Sequence, residues 1–271
     1  MHMKIGGIPL LGFGTYGRTG TDGIKAILCA LATGYRHLDT AQTYNTEREV
    51  GEAVARSGLY RNDVFVTTKI STDNYGSNAL VPSLRRSLDQ LGLEQVDLTL
   101  LHWPAPNDSV PIAQYAQQLA EAQQKGLSRL IGVSNFNIQH LQVVENILGK
   151  GNIATNQIEL HPYLQNRKLA DYCTSQGILV TCYLPIAHGT LSDDPVLQNI
   201  AAAHGATVAQ IALAFERTKG YAAIPTSSKP IRIRENFASL QVKLTTRDIE
   251  LIAALDRGGR RINPAWGPKW D

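Results

Sequence analysis

Long apolar runs are absent from this chain. No stretch of its 271 residues approaches the about 18 consecutive apolar residues of a membrane-spanning helix, and Met1-His2-Met3-Lys4 is followed by no apolar signal region. A cytoplasmic location with no membrane partner is therefore expected. Cysteine is scarce: Cys29, Cys173 and Cys182 form no CxxC and lie in apolar helix or strand patterns, which predicts buried free thiols in a reducing compartment. Charge of either sign is low in excess, with 26 basic against 23 acidic side chains and a formal net charge of +3. Such a balance gives no footing for a nucleic-acid partner, and no basic run is interleaved with aromatics. The densest basic stretch, Lys229, Arg232 and Arg234, follows Ile224-Pro225-Thr226-Ser227-Ser228 and suits a small anion better than a polymer. A GxSxG elbow and a cysteine nucleophile are missing too, which argues against hydrolysis through a covalent intermediate.

What is present is alternation. Short apolar runs that read as strands fall at 10–15, 36–40, 64–69, 96–102, 130–134, 154–160, 179–183 and 222–225. Helical spacing fills 24–31, 47–57, 80–91, 112–125, 138–148 and 167–176, with three or four further helices before the C-terminus. Thr207 with Gln210 and Thr245 with Asp248 have capping-box spacing, and Gly34, Gly92, Gly126 and Gly177 stand where helices should stop. Eight strands linked by helices, with no break in composition, predict an α/β fold of the (β/α)8 TIM-barrel type, one domain over 1–271 with a short C-terminal tail. Segments 104–107 and 186–195 read as rim loops rather than linkers.

Gly12-Phe13-Gly14-Thr15-Tyr16-Gly17 matches GxGxxG, and Asp39 follows at about the spacing of a ribose-binding acid, about 20 residues on. The context is wrong for a Rossmann fingerprint. Pro9 precedes the motif, and Arg18-Thr19-Gly20-Thr21 separates it from the first helical pattern. The glycines instead read as places where a barrel strand approaches a ligand closely.

Asp39, Tyr44, Lys69 and His102 each fall at or just past a strand end. Singly, each has an ordinary explanation: a cap, rim packing, a solvent-seeking lysine, a structural histidine. Together, at the C-terminal mouth of a barrel, they become neighbours. A tyrosine, with an unperturbed pKa of about 10, becomes a better proton donor when an ammonium stabilises its phenolate and a carboxylate holds that ammonium. A histidine could orient a carbonyl oxygen beside it. No two histidines near them have ligand spacing, so no metal is expected.

Six segments carry a resemblance: GFGTY at 12–16, GYRHLDTAQTYNTEREVG at 34–51, TTK at 67–69, LLHWP at 100–104, IGVSNF at 131–136 and NQIELHPYLQN at 156–166. In this order they resemble the aldo-keto reductases, over most of the chain from about residue 10 to about residue 236. LTLLHWPAPND, NIATNQIEL and HPYLQNRK are similar to a bacterial branch of that family, the 2,5-diketo-D-gluconate reductases, in particular the B-type. The resemblance implies a TIM barrel with NADPH at the C-terminal mouth and a catalytic tetrad of Asp39, Tyr44, Lys69 and His102. It implies reduction of aldehydes, ketones or keto-sugar acids, with 2,5-diketo-D-gluconate to 2-keto-L-gulonate as one case. A broad aldehyde or methylglyoxal reductase is the alternative, and a non-catalytic NADPH-binding subunit the alternative of another class. A monomer acting on a small molecule is expected.

The same resemblance assigns Gly14, Thr15, Tyr16 and Asp39 to the cofactor face, and Ser134, Asn135 and Gln157 to the nicotinamide carboxamide. Tyr183 stacks on the ring, and Leu184, Pro185 and Ala187 belong to the loop over the pyrophosphate. Thr226, Ser227, Ser228, Lys229 and Arg232 hold the 2'-phosphate, with Glu235 and Asn236 on the adenine side. Tyr16, Tyr44, His102, Trp103 and Trp266 wall the substrate pocket. Two departures stand out. Thr226 replaces a lysine common in the family, and Leu184 replaces a common serine, with His188-Gly189 where Gly-Ser is usual. The tail of 15 residues after Asp256 implies a more open pocket, with Arg260, Arg261 or His188 placed to steer an anionic sugar acid.

Overall fold

The chain begins with a hairpin that the sequence reading left unassigned. In the computed structural model, which describes residues 4–271, β1 (Lys4–Ile5) pairs antiparallel with β2 (Ile8–Pro9) across Gly6-Gly7. Both glycines have positive φ, 57° and 86°, the conformation a tight two-residue hairpin demands. Met1-His2-Met3, where the sequence shows no apolar signal, lies outside the described residues.

From there strands and helices alternate. The barrel strands are β3 (Phe13–Gly14), β4 (His37–Asp39), β5 (Phe65–Ile70), β6 (Val96–Leu101), β7 (Ser128–Ser134), β8 (Thr155–Glu159), β9 (Leu179–Tyr183) and β10 (Ala222–Ala223). All run parallel, each beside its predecessor in the chain. The sheet closes on itself: Gly12 N donates to Ala223 O at 2.9 Å, Ala223 N to Leu10 O at 2.9 Å, and Gly14 N to Pro225 O at 3.0 Å. The closing strands are shorter than the expected 10–15 and 222–225 because the seam is tight and Pro225 has no N–H to extend the ladder. A Cβ at Gly12 would meet the His37 ring at 2.7 Å, and one at Gly14 would meet Ile224 O at 2.9 Å. These glycines therefore permit a close approach between neighbouring strands, a reason for them that the motif did not show.

The helices α1 (Gly20–Thr33), α2 (Glu47–Arg56), α3 (Leu80–Leu91), α4 (Ile112–Gln124), α5 (Ile138–Leu148), α6 (Arg167–Ser175), α7 (Pro195–Ala203), α8 (Val208–Thr218), α9 (Pro230–Ala238) and α10 (Thr246–Ala253) surround the sheet. Both expected capping boxes form. None of the described helices is long and apolar enough to cross a membrane. Cys173 and Cys182 are buried free thiols, but Cys29, expected to be buried, is half-exposed on α1 because its face is only partly covered.

Period-two alternation sorts the inward side chains into layers. The floor is apolar: Phe65, Leu98, Leu100, Leu179 and Ala222 pack with Ile8 of the hairpin and Leu10 just after it. Above it the layer turns polar, with His37 Nε2 3.0 Å from Thr67 Oγ1 and Thr155 Oγ1 2.8 Å from Thr181 Oγ1. Two residues further along the same strands come Asp39, Lys69, Gln157 and Tyr183. Strand register thus delivers these four groups of the mouth from one repeated step.

One buried group breaks this order. Glu216 on α8 is 0% exposed and neither carboxyl oxygen has a partner among the described residues, so burial pushes its pKa well above the ordinary carboxylate range. The folded chain holds a proton there that the unfolded chain releases, and this contribution to stability is lost as pH rises from the unfolded value toward the folded one. Urea midpoints of the wild type should therefore fall between about pH 5 and about pH 8 more steeply than those of Glu216→Gln, whose amide does not titrate. Parallel pH profiles would reject the assignment.

Candidate active site

The mouth is organised around a buried lysine. Lys69, the fifth residue of β5, is 0% exposed, and its ammonium forms an ion pair with Asp39 at the end of β4. It also donates to Thr40 O at 2.9 Å and to the Tyr44 hydroxyl at 3.3 Å, and lies 4.6 Å from the Tyr44 ring centre. The second Asp39 oxygen accepts from Gln157 Nε2 at 2.8 Å, which ties β4 to β8 across the barrel. Tyr44 is carried by a 3-10 turn, Gln42–Tyr44, ended by Asn45 in the left-handed region. The His102 ring stands edge-on to Tyr44 at 5.5 Å, with Nδ1 3.4 Å from Thr43 Oγ1.

Electrostatics follow from burial and from the Lys69 charge. Burial pulls the Lys69 ammonium down, but the Asp39 carboxylate and Tyr44 outweigh it and the net direction is up. Burial and then the Lys69 charge push His102 down to about 3, so its ring is neutral at ordinary pH. Burial pushes Tyr44 up, Lys69 pulls it back, Asp39 adds to the rise, and the phenol ends above its usual value. The sequence argument expected the ammonium to make Tyr44 more acidic. Its pull is present, but burial and the carboxylate exceed it, and Tyr44 stays protonated.

A second cluster lies beside the first. Ser134, at the end of β7, donates to Gln157 O at 2.9 Å, and Asn135 Nδ2 donates to Ser134 Oγ at 3.1 Å and to His102 O at 3.0 Å. Tyr183 donates to Asn135 Oδ1 at 2.8 Å. Asn135 holds this pose with φ of 63°, and the loop after Tyr183 carries three more left-handed residues, Leu184, Ala187 and His188. Strain of this kind, about 1 kcal/mol or more per residue, persists where surrounding contacts over-determine the backbone, often at a site of function. Pro185 and Ala187 are buried, the latter in the apolar cluster with Leu191 and Leu197. Thr15 is buried with its hydroxyl donating to Asp39 O at 3.0 Å.

An aromatic wall completes the mouth. Tyr16, 66% exposed, stands edge-on to Tyr44 with ring centres 5.2 Å apart, and Trp103 is flanked by Trp266 at 5.3 Å and Trp270 at 6.1 Å between ring centres. Trp270 was not singled out from the sequence, although its spacing of four from Trp266 was visible. Glu159 was missed as well. It stands two residues after Gln157 on the same inward face, and its carboxylate accepts backbone N–H groups of Arg261 and Ile262, each at 2.8 Å. The short tail is therefore tied to the barrel at the end of β8. Arg260 and Arg261 are engaged, with Asn166 and Thr190 respectively, while His188 is exposed.

The model of the Aldo/keto reductase family matches residues 10–257. The chain belongs to this family. Its members are NADPH-dependent oxidoreductases, and the curled eight-stranded parallel sheet is the family's barrel. This aldo/keto reductase is 43% identical to the methylglyoxal reductase DkgB of Yersinia pestis over 97% of this chain and 99% of that one. It superposes with a TM-score of 0.95 on the crystal structure of a protein provisionally assigned as a 2,5-diketo-D-gluconic acid reductase B, at 38% identity over 100% of this chain and 98% of the other. The aldose reductase of Schistosoma japonicum shares 30% identity with a TM-score of 0.89, covering 97% and 94% of the two chains.

Residues for the family's cofactor can be tested against the structure of this reductase. The Thr226 hydroxyl is buried without a partner among the described residues, a donor and acceptor with an unmet need just past β10. Ser227 half-emerges, and Ser228, Lys229 and Arg232 are exposed around the start of α9, with Asn236 buried and Glu235 half-buried one turn on. Hydroxyls, two cations and a helix start fit a phosphate. Among the described residues no group of three or more His, Cys, Asp or Glu could hold a metal.

The electrostatics generate a direct check. The His102 ring signals, followed by NMR, should stay flat between about pH 5 and about pH 8, because its proton is lost near the low end of the scale. A transition near the ordinary histidine value would contradict the burial beside Lys69.

Proposed function

We propose that this chain reduces small carbonyl compounds to alcohols with NADPH, with Tyr44 as the proton donor. The observation that carries this reading is the Tyr44 hydroxyl at 3.3 Å from a buried ammonium that Asp39 holds, beside a neutral histidine. NADPH, when bound, supplies the hydride. Tyr44, protonated in the resting site, gives its proton to the carbonyl oxygen, and the ammonium of Lys69 then stabilises the phenolate left behind. Asp39 keeps the ammonium in place and charged. His102, being neutral, offers a ring N–H to the same oxygen and orients it without adding a competing cation. In the oxidative direction Tyr44 takes the proton back.

Ser134, Asn135 and Gln157 would hold the carboxamide, with Tyr183 against the ring and Asp39, Gly14, Thr15 and Tyr16 along the same edge. Leu184, Pro185 and Ala187 would cover the pyrophosphate, and Ser227, Ser228, Lys229, Arg232 and Thr226 would take the 2'-phosphate, with Glu235 and Asn236 at the adenine. The likeness to DkgB, a methylglyoxal reductase by name, and to a protein described as acting on 2,5-diketo-D-gluconic acid supports two substrate classes, small α-dicarbonyls and keto-sugar acids. Turnover of both by the wild type, compared as kcat/KM, decides between them.

Tyr44→Phe should lower carbonyl turnover by about 100-fold to 10,000-fold while NADPH affinity, read by fluorescence quenching, stays within a few-fold. Undiminished turnover would remove Tyr44 from the mechanism. Lys229→Ala and Arg232→Ala should each raise the KM for NADPH by about tenfold and leave that for NADH nearly unchanged, since only the former carries the 2'-phosphate. Equal losses with both cofactors would count against a phosphate site at the start of α9.

A further inference from the structure

The segment after α10 is strapped across the mouth at two anchors. At the first, Glu159, the last residue of β8 and 0% exposed, accepts the N–H of Arg261 at Oε1 and that of Ile262 at Oε2, each at 2.8 Å, with His161 Nε2 3.0 Å from Oε1. At the second, Asn137 Nδ2 donates to Lys269 O and the Ile138 N–H donates to Asp271 Oδ2, both at 2.9 Å, at the N-terminus of α5. Trp266, between the anchors, and Trp270, within the second, come to rest on Trp103, the residue after His102. Further contacts brace the span: Trp270 Nε1 donates to Asn263 Oδ1 at 2.9 Å, and the Arg260 guanidinium stacks 3.5 Å over the Trp270 ring.

A carboxylate taken out of water keeps its charge only where donors converge on it. Burial pushes Glu159 up, but the bonds from His161 and from the two tail amides exceed that and hold it below its ordinary range. Those two amides are backbone groups, so what Glu159 recognises is the path of the tail and not a side chain. Its strand neighbour two residues back, Gln157, reaches Asp39, so one inward face of β8 serves both the proton-handling cluster and the tail.

We propose that Glu159 is a positioning residue for substrate selection, fixing the tail at 261–262 and thereby the wall that Trp266 and Trp270 build against Trp103. The inference rests on the reductase reading of this mouth. On this proposal a six-carbon keto-sugar acid, the larger substrate, meets that wall, and a three-carbon aldehyde held at Tyr44 and His102 is indifferent to it.

Two independent variants test this. Glu159→Gln places an amide NH2, which cannot accept, against one of the tail N–H groups, and Ile262→Pro deletes a donor while leaving Glu159 intact. Each variant should expose the tail to trypsin after Arg260 and Lys269, with cleavage about tenfold faster than in the wild type, the bond after Arg261 being resistant once Pro follows it. Each should raise KM for 2,5-diketo-D-gluconate by about tenfold, with NADPH affinity and kcat for methylglyoxal within about twofold of wild type. The double variant should be no worse than either single one, because both remove the same contact. Unchanged cleavage, equal losses for the two carbonyl compounds, or multiplying effects in the double variant would overturn the proposal. Absence of any carbonyl turnover in the wild type would instead overturn the reductase reading and the role in selection with it, while the trypsin arm would still report on the clamp.

Discussion

The structure at the barrel mouth depends on keeping one ammonium charged out of contact with water. Burying such a group without partners is prohibitive, and breaking a buried ion pair by removing one side typically costs about 3–5 kcal/mol. Lys69 is satisfied by Asp39, the Thr40 carbonyl and the Tyr44 hydroxyl, three acceptors from the strand beside it and the turn that follows. Each acceptor is in turn constrained: Asp39 by Gln157, Tyr44 by its turn and by the rings of Tyr16 and His102. The requirement of one charge thus fixes the relative positions of β4, β5 and β8 at their C-terminal ends. Its field also sets the protonation of its neighbours, contributing to the low value of His102 and opposing the rise of Tyr44. Since hydrophobic replacements often match a buried ion pair in stability, the pair is better understood by the field it places on Tyr44.

Much of the architecture was legible because strands of five to seven residues repeat their period visibly, as in β5, β6, β7, β8 and β9. Elements that failed to announce themselves were too short to show a period. The β1–β2 hairpin has two residues in each strand, and its only signal was Gly6-Gly7. Barrel closure relies on β3 and β10, also two residues each, and on three hydrogen bonds that no pattern in the sequence encodes. Gly12 and Gly14 were visible, but their reason was not. A glycine required by a neighbouring strand and one required by a ligand look alike until the neighbour is known.

The site divides along the same line. Asp39, Tyr44, Lys69 and His102 were readable because each ends a strand or follows it closely, and parallel barrel topology alone then brings such positions together. The partnerships that cross the barrel were not readable. That Gln157 reaches Asp39, or that Glu159 receives two amides from 102 and 103 residues further on, depends on the path by which loops return. The net direction of the Tyr44 shift was not readable for a related reason: sequence shows which charges are near, while the degree of burial, the largest influence on that phenol, belongs to the packed state.

These two kinds of placement also separate chemistry from selection. The proton-handling groups are held mainly by strand ends and a short turn, with registers set by backbone ladders, so their geometry tolerates little variation in the loops. The tryptophans that narrow the mouth are carried by a tail whose course is set by acceptors at two anchors, the Glu159 carboxylate at one end and the tail's own Lys269 carbonyl and Asp271 carboxylate at the other. A change in the tail's length or sequence can therefore reshape the wall while Lys69, Asp39 and Tyr44 stay where the sheet puts them. Glu159 is where the two systems meet, since its backbone is paired in register with Tyr183 in the sheet and its side chain belongs to the tail. Its rigid attachment to β8 makes the wall as precise as the strand that carries it, although the tail itself has no helix or strand.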